Sequence, residues 1–220
     1  MMRVVFRGKF ALGDLDARLD SVLGNEAGYF VEIGGNDGIT QSNTKRLELF
    51  GGWQGLLVEP DSSNYSRMLI TRGKQTCKVE GACVPFDYGE DFVELEYSNL
   101  MTVARSLDLD LKDVEAHLDN GRKWLFKGSN QRKFHAKAYK LQDLLIRCGA
   151  PKVIDFFSLD VEGAELAVLQ GVDLTEFQFK NLMVETRSPD RVSDYLAPYG
   201  YTLDQKMSSH DYLFKPARSH

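Results

Sequence analysis

The stretch Tyr29-Phe30-Val31-Glu32-Ile33-Gly34-Gly35-Asn36-Asp37-Gly38 decides how this chain is read. Five mostly apolar residues run into a cluster of glycines, the pattern of a short buried strand that turns sharply. Glycine at such a turn lets backbone N–H groups approach a ligand closely. The spacing Gly34-x-Asn36-x-Gly38 departs from the dinucleotide pattern G-x-G-x-x-G, because Ile39 stands where the third glycine belongs. Asn36 holds a middle position and tolerates a positive φ better than most residues.

Outward from this turn, apolar runs alternate with helical patterns. Leu15, Leu19, Val22 and Leu23 share one helical face within residues 14–23. A helix over 41–50, capped by Ser42 or Asn43, stops at Gly51-Gly52. Strands are expected at 55–58 and 76–79, with a helix over 62–72 between them. Phe92–Tyr97 alternates as a half-exposed strand, 108–119 reads as an amphipathic helix, and 133–139 as a strand. A helix over 141–148, the most apolar strand at 153–159, a helix over 163–170 and a strand at 181–184 follow. A helix near 190–197 and a hairpin from 201–203 and 211–215 close the chain. Alternation of this kind predicts an α/β fold with a doubly wound, mainly parallel sheet covered on both faces. Ligands of such sheets bind beyond the C-terminal strand ends. Glu32, Gly34, Glu59, Asp160 and Glu185 all fall at those ends.

The bulk numbers narrow the function. The chain has 220 residues, 43% hydrophobic and 27% charged, which suits one globular domain with a sizeable core. A net charge of −5 argues against a nucleic-acid partner. No run reaches the length of a membrane span. Cys77, Cys83 and Cys148 show neither a disulfide framework nor zinc spacing and read as unpaired thiols of a reducing compartment. The expectation is a cytoplasmic protein, either complete or one domain of a longer polypeptide.

Three blocks carry a family resemblance. They are Phe30 to Thr44, Trp53-Gln54-Gly55-Leu56-Leu57-Val58-Glu59-Pro60, and Asp155-Phe156-Phe157-Ser158-Leu159-Asp160-Val161-Glu162-Gly163-Ala164-Glu165. Together they resemble the FkbM family of methyltransferases over about residues 28–215. The resemblance implies a class I, Rossmann-like methyltransferase fold; the chain as a whole is expected to be one domain over 1–220, with an N-terminal helical segment at 1–27. The resemblance also implies S-adenosylmethionine as cofactor and O-methylation, often of sugars or of hydroxyls on secondary metabolites. Residues 86–132 match weakly and are expected to be an inserted lid that binds the acceptor. The expected cofactor contacts are Glu32, Gly34, Asn36, Gly38, Ser42, Glu59, Ala82 and Asp160, with Glu59 accepting the ribose hydroxyls. A bulky residue at Gly34 is expected to abolish cofactor binding while leaving the chain folded.

The acceptor side needs a base or a metal, because a sugar hydroxyl is a poor acid. Asp160 is the first candidate, its competing role being a helix cap. Glu162 is weighed as a stabiliser of that helix N-terminus. Glu185, ending the neighbouring strand, faces the same crevice in this reading, and the pair suits a hard cation such as Mg²⁺. The competing role for Glu185 is a salt bridge to Arg187 or a lysine. His210, beside Asp211, is the third catalytic candidate; His117 and His135 rank lower and His220 is terminal. Arg122-Lys123-Trp124-Leu125-Phe126-Lys127, with Arg132 and Lys133, reads as a basic, aromatic flap over the acceptor. Competing functions are methylation at nitrogen or on nucleic acid, an oxidoreductase, and a non-catalytic module that binds S-adenosylmethionine.

Overall fold

The structure is a computed structural model that describes residues 8–97, 102–104, 107, 109 and 132–217. Helix α1 is Leu15–Leu23, α2 Lys45–Gly51, α3 Ser62–Thr71, α4 Leu141–Arg147, α5 Glu165–Leu169 and α6 Pro189–Leu196. Strands β1 Tyr29–Ile33, β2 Gln54–Glu59, β3 Cys77–Glu80, β8 Phe156–Leu159, β10 Leu182–Glu185, β11 Tyr201–Lys206 and β12 Asp211–Pro216 form one seven-stranded sheet. Its order is β11-β12-β10-β8-β1-β2-β3. Five neighbouring strands are parallel, and β12 runs antiparallel to both β10 and β11. This is the expected Rossmann-like methyltransferase architecture, terminal hairpin included.

The central strands β1, β2, β8 and β10 are buried on both faces, and strand alternation sorts their side chains. Val31, Ile33, Leu56, Val58, Phe157, Leu159, Leu182 and Val184 pack into one cluster with residues of α4, α5 and α6. Their neighbours Phe30, Leu57, Phe156 and Met183 pack into another with Leu15 and Leu19 of α1, Leu47 of α2 and Met68 of α3. This two-faced burial is why the strands read as continuous apolar runs. A smaller sheet of β4 (Ala82–Val84), β6 (Arg132–Lys140) and β5 (Phe92–Tyr97) carries its own small core around Val93, Leu95 and Ala136.

Several expectations change. The apolar run 153–159 breaks at Asp155 into β7 (Val153–Ile154) and β8. Asp155 bonds β1 twice, its N–H donating to the Tyr29 carbonyl and its carboxylate accepting from the Tyr29 N–H. β7 instead pairs β9 (Gln178–Phe179) in a separate two-stranded ladder. Helix α2 begins at Lys45 rather than 41, because Ser42 and its neighbours are drawn to a buried carboxylate described below. Cys77 and Cys148 are not free thiols: they form a disulfide across 71 residues. β3 and the end of α4 lie side by side, an adjacency that spacing along the chain does not reveal. The pairing removes the cysteine argument for a reducing compartment, and Cys83 alone remains a free, buried thiol. The expected helix over 108–119, the flap at 122–127, His117 and His220 lie outside the described residues. Among the described residues, no helix is long and apolar enough to cross a membrane.

Candidate active site

The chain leaves β1, builds β2 and β3 on one side of it, then returns to lay β8 on the other. This reversal opens a crevice beyond the carboxyl ends of β1 and β8. A cavity of about 400 Å³ occupies it, within the usual range for small-molecule sites. Gly34, Asn36, Glu59, Ala82, Asp160 and Glu185 all line it.

Close packing of β1 against β8 shapes its floor. Gly34 has φ +88°, and a Cβ added there would stand 1.9 Å from the Asp160 carbonyl oxygen. No side chain fits that space in that conformation, so glycine is required by the fold itself. The expectation of a folded but non-binding Gly34 variant is therefore corrected. Gly34 and Gly35 both donate their N–H groups to the Val58 carbonyl, at 3.1 and 3.0 Å, which ties the turn to β2. Asn36 takes φ +47°, as its residue type allows.

Glu59 holds the turn from the other side. Its Oε2 accepts from the Asn36 N–H at 2.8 Å and its Oε1 from the Asp61 N–H at 2.9 Å. Burial pushes the Glu59 carboxyl up to about 7 despite those bonds. Asp61 in turn caps α3, accepting from the Ser63 and Asn64 N–H groups.

Glu32 and Ser42 do not line the cavity. Alternation along β1 turns Glu32 to the opposite face of the sheet from Ile33. There it accepts from Ser42 Oγ, the Asn43 N–H and Thr44 Oγ1, the last at 2.5 Å. The wholly buried Arg72 guanidinium sits beside it, 3.5 Å from Glu32 Oε2 and 3.1 Å from Glu48 Oε2. Arg72 also donates to Ser42 Oγ and to the Gly38 carbonyl. Gly38, at φ +79°, packs against the Arg72 and Thr71 side chains, so it too belongs to this buttress beneath the loop. These three residues shape the loop from below.

On the far side of the cavity stand the carboxyls that end β8 and β10. These strands are parallel neighbours, with Val184 in register with Leu159, so Asp160 and Glu185 emerge together. Their place at neighbouring strand ends makes the two carboxyls one electrostatic pair. Burial, then the Glu185 and Glu162 charges, push the Asp160 carboxyl well above the ordinary aspartate range. Asp160 Oδ1 is buried with no hydrogen-bond partner.

The helix-cap role for Asp160 is not what the structure shows, since Ala164 precedes α5 and no side chain caps it. Glu165 organises that turn instead, accepting from the Gly163 N–H at 2.9 Å and the Val161 N–H at 3.3 Å. Its own carboxyl is pushed up to about 7 by burial. Sequence reading missed Glu165; its signal was a carboxylate two residues after a glycine that must adopt φ +103°. Glu162 lines the cavity in a left-handed conformation, φ +54°.

His210 is half-buried in the β11–β12 turn and does not line the cavity. Its carbonyl accepts from the Thr186 N–H, one residue past Glu185. Asp211, paired with Glu185 in register, is pushed upward by burial and by the Glu185 charge. Among the described residues, no group of three His, Cys, Asp or Glu side chains is arranged to hold a metal ion.

The cavity therefore joins a glycine turn and the strand-end carboxylate Glu59 on one side to the carboxylates Asp160 and Glu185 on the other. Neither a curated protein nor a solved structure matches the chain. The family model for the methyltransferase FkbM domain matches residues 32–214, a span that contains the glycine turn, the strand-end carboxylates Glu59, Asp160 and Glu185, and most of the closing hairpin. The chain belongs to the FkbM methyltransferase family.

Proposed function

We propose that this chain is an S-adenosylmethionine-dependent O-methyltransferase acting on a hydroxyl of a small molecule, a sugar or glycan first among the candidates. The observation that carries the reading is that one cavity joins Glu59 and the Gly34 turn to the Asp160–Glu185 pair. When bound, S-adenosylmethionine supplies an electrophilic methyl group on a sulfonium sulfur.

Glu59 faces the cavity and keeps acceptor capacity beyond its bonds from the Asn36 and Asp61 N–H groups and the Asn64 side chain, which suits it to accept a ribose hydroxyl. The Gly34 and Gly35 N–H groups are spent on Val58, so the turn contributes close approach rather than donors. Ala82 adds an apolar wall. The orphaned Asp160 Oδ1 is an acceptor for a hydroxyl that enters the cavity. Asp160 and Glu185 then take the acceptor's proton as its oxygen becomes nucleophilic, help worth typically ~10²–10⁴ in rate.

Burial and the neighbouring Glu185 charge raise Asp160, which makes it a stronger proton acceptor than an exposed aspartate. Glu59, Asp160, Glu162 and Glu185 make the lining acidic, which disfavours a polyphosphate acceptor and hence nucleic acid. Leu95, Thr102, Ala104 and Leu107 line the cavity, which supports an acceptor-side role for these described residues of the weakly matching segment.

Two measurements test the reading. Calorimetry should show S-adenosylhomocysteine binding and no NAD binding. Incubation with S-adenosylmethionine and a panel of sugars, sugar nucleotides and oligosaccharides should release S-adenosylhomocysteine for at least one acceptor. Binding of NAD in place of S-adenosylhomocysteine would overturn the cofactor, and methylation confined to amines would overturn the O-transfer.

A further inference from the structure

A second cavity, of about 430 Å³, lies outside the methyltransferase crevice. It sits between the edge strand β3 and the outer face of the small sheet. Alternation on β6 sets His135, Lys137 and Tyr139 in a row on one side of that strand, and Phe92 of β5 stands in register with Lys137. Lys78 and Glu80 come from β3, Tyr65 from α3 and Arg147 from the last turn of α4.

The charge of this lining is opposite to that of the first cavity. Lys78, Lys137, Arg147 and the titratable His135 stand against Glu80, whose carboxylate accepts from Ser62 Oγ. In a chain of net charge −5, such a concentration is not the average surface. Lys78 Nζ spends one donor on the Gly73 carbonyl at 2.6 Å and has two left. Lys137 Nζ lies 5.4 Å from the Tyr139 ring centre, so the cation and the ring face the cavity together. The disulfide adds a second, independent feature. It joins Cys77 to Cys148, the residues next to Lys78 and Arg147, with their Cα atoms 6.0 Å apart. The crosslink thereby ties β3 to the end of α4, the two elements that bring Lys78 and Arg147 to this cavity.

We propose that this cavity binds a phosphate-bearing small molecule, with Lys78, Lys137 and Arg147 on the phosphate and the Tyr65, Tyr139 and Phe92 rings beside the rest of the ligand. Guanidinium and ammonium groups suit a tetrahedral anion, and flanking aromatic faces suit a ring such as a sugar. The ligand lies next to the first site without entering it: Glu80 lines this cavity and Gly81 the other.

The test is calorimetry on the full chain, disulfide intact, with glucose 6-phosphate, inorganic phosphate and glucose as probes at low ionic strength. Glucose 6-phosphate should bind, inorganic phosphate more weakly, and glucose not at all. Lys137 and Arg147 are exposed, so K137E and R147E should fold, as unchanged melting temperatures will verify. Each should weaken glucose 6-phosphate by about tenfold or more, while S-adenosylhomocysteine affinity stays as in the unmodified chain. Absence of binding by both phosphate probes overturns the proposal, as does binding that neither charge reversal weakens. The result is independent of the methyl-transfer reading, because phosphate binding is scored without turnover and the variants lie outside the first cavity.

Discussion

A methyl group placed on Gly34 would stand 1.9 Å from the carbonyl oxygen of Asp160, which makes the contact between the first and fourth core strands a contact of backbones. The residue that opens the glycine turn and the residue that follows β8 thus fix each other's position. Gly34→Ala should lower stability by more than the ~1–2 kcal/mol of a left-handed alanine, because the clash adds to the backbone strain. Urea unfolding measures this. A variant as stable as the parent would mean that β1 and β8 can separate without cost.

Arg72 is buried against Glu32 and Glu48 and joins three segments beneath the loop. Removing it leaves Glu32 buried without its cation. Arg72→Met should destabilise the chain by about 3–5 kcal/mol, and the double variant with Glu32→Gln should recover part of the loss. Chemical denaturation of the two variants decides whether the network acts as one unit.

Glu59 and Glu165 are both raised from 4.5 to about 7 by burial. Each binds its proton more tightly folded than unfolded. Their contribution to stability is therefore complete below about pH 4.5 and is lost as pH rises through about 7. Glu165→Gln should flatten that decline in a melting-temperature profile. Cofactor affinity should run the other way, since ribose hydroxyls favour the ionised Glu59. S-adenosylhomocysteine binding should strengthen from about pH 6 to pH 8, and Glu59→Gln should remove the dependence.

The Asp160–Glu185 pair should matter to turnover more than to binding. Asp160→Asn removes one carboxyl of the proposed pair and keeps the shape. It should cost ~10²–10⁴ in rate with cofactor affinity within a few-fold of the parent. It should not destabilise the fold at neutral pH, because it removes a buried acid that folding raises. Retained turnover would exclude the pair as the base.

The Cys77–Cys148 disulfide closes a span of 71 residues. Chain entropy puts its contribution at about 4 kcal/mol. Dithiothreitol, or the paired substitution of both cysteines by serine, should lower the melting temperature clearly. An unchanged melting curve under reduction would show that the crosslink does not hold β3 to α4 in solution.

The sequence alone carried the sheet, because strands buried on both faces must be apolar throughout and must be separated by amphipathic helices. Tyr29–Ile33 was legible to the residue, and so was the clustering of Gly34, Glu59, Asp160 and Glu185 at strand ends. The direction of each side chain was not. Glu32 sits one residue from Ile33, and a single step along a strand turns it from the cavity to the Arg72 buttress. Glu165 looked like an ordinary helix residue, yet its position two residues past Gly163 makes it the clamp of the acceptor turn. The break at Asp155 and the bond between Cys77 and Cys148 depend on neighbours remote in sequence. Local pattern determines which segments are strands and which ends face a ligand. Only packing in three dimensions decided which carboxylates reach the cavity, which support it from beneath, and which two stand together on its far side.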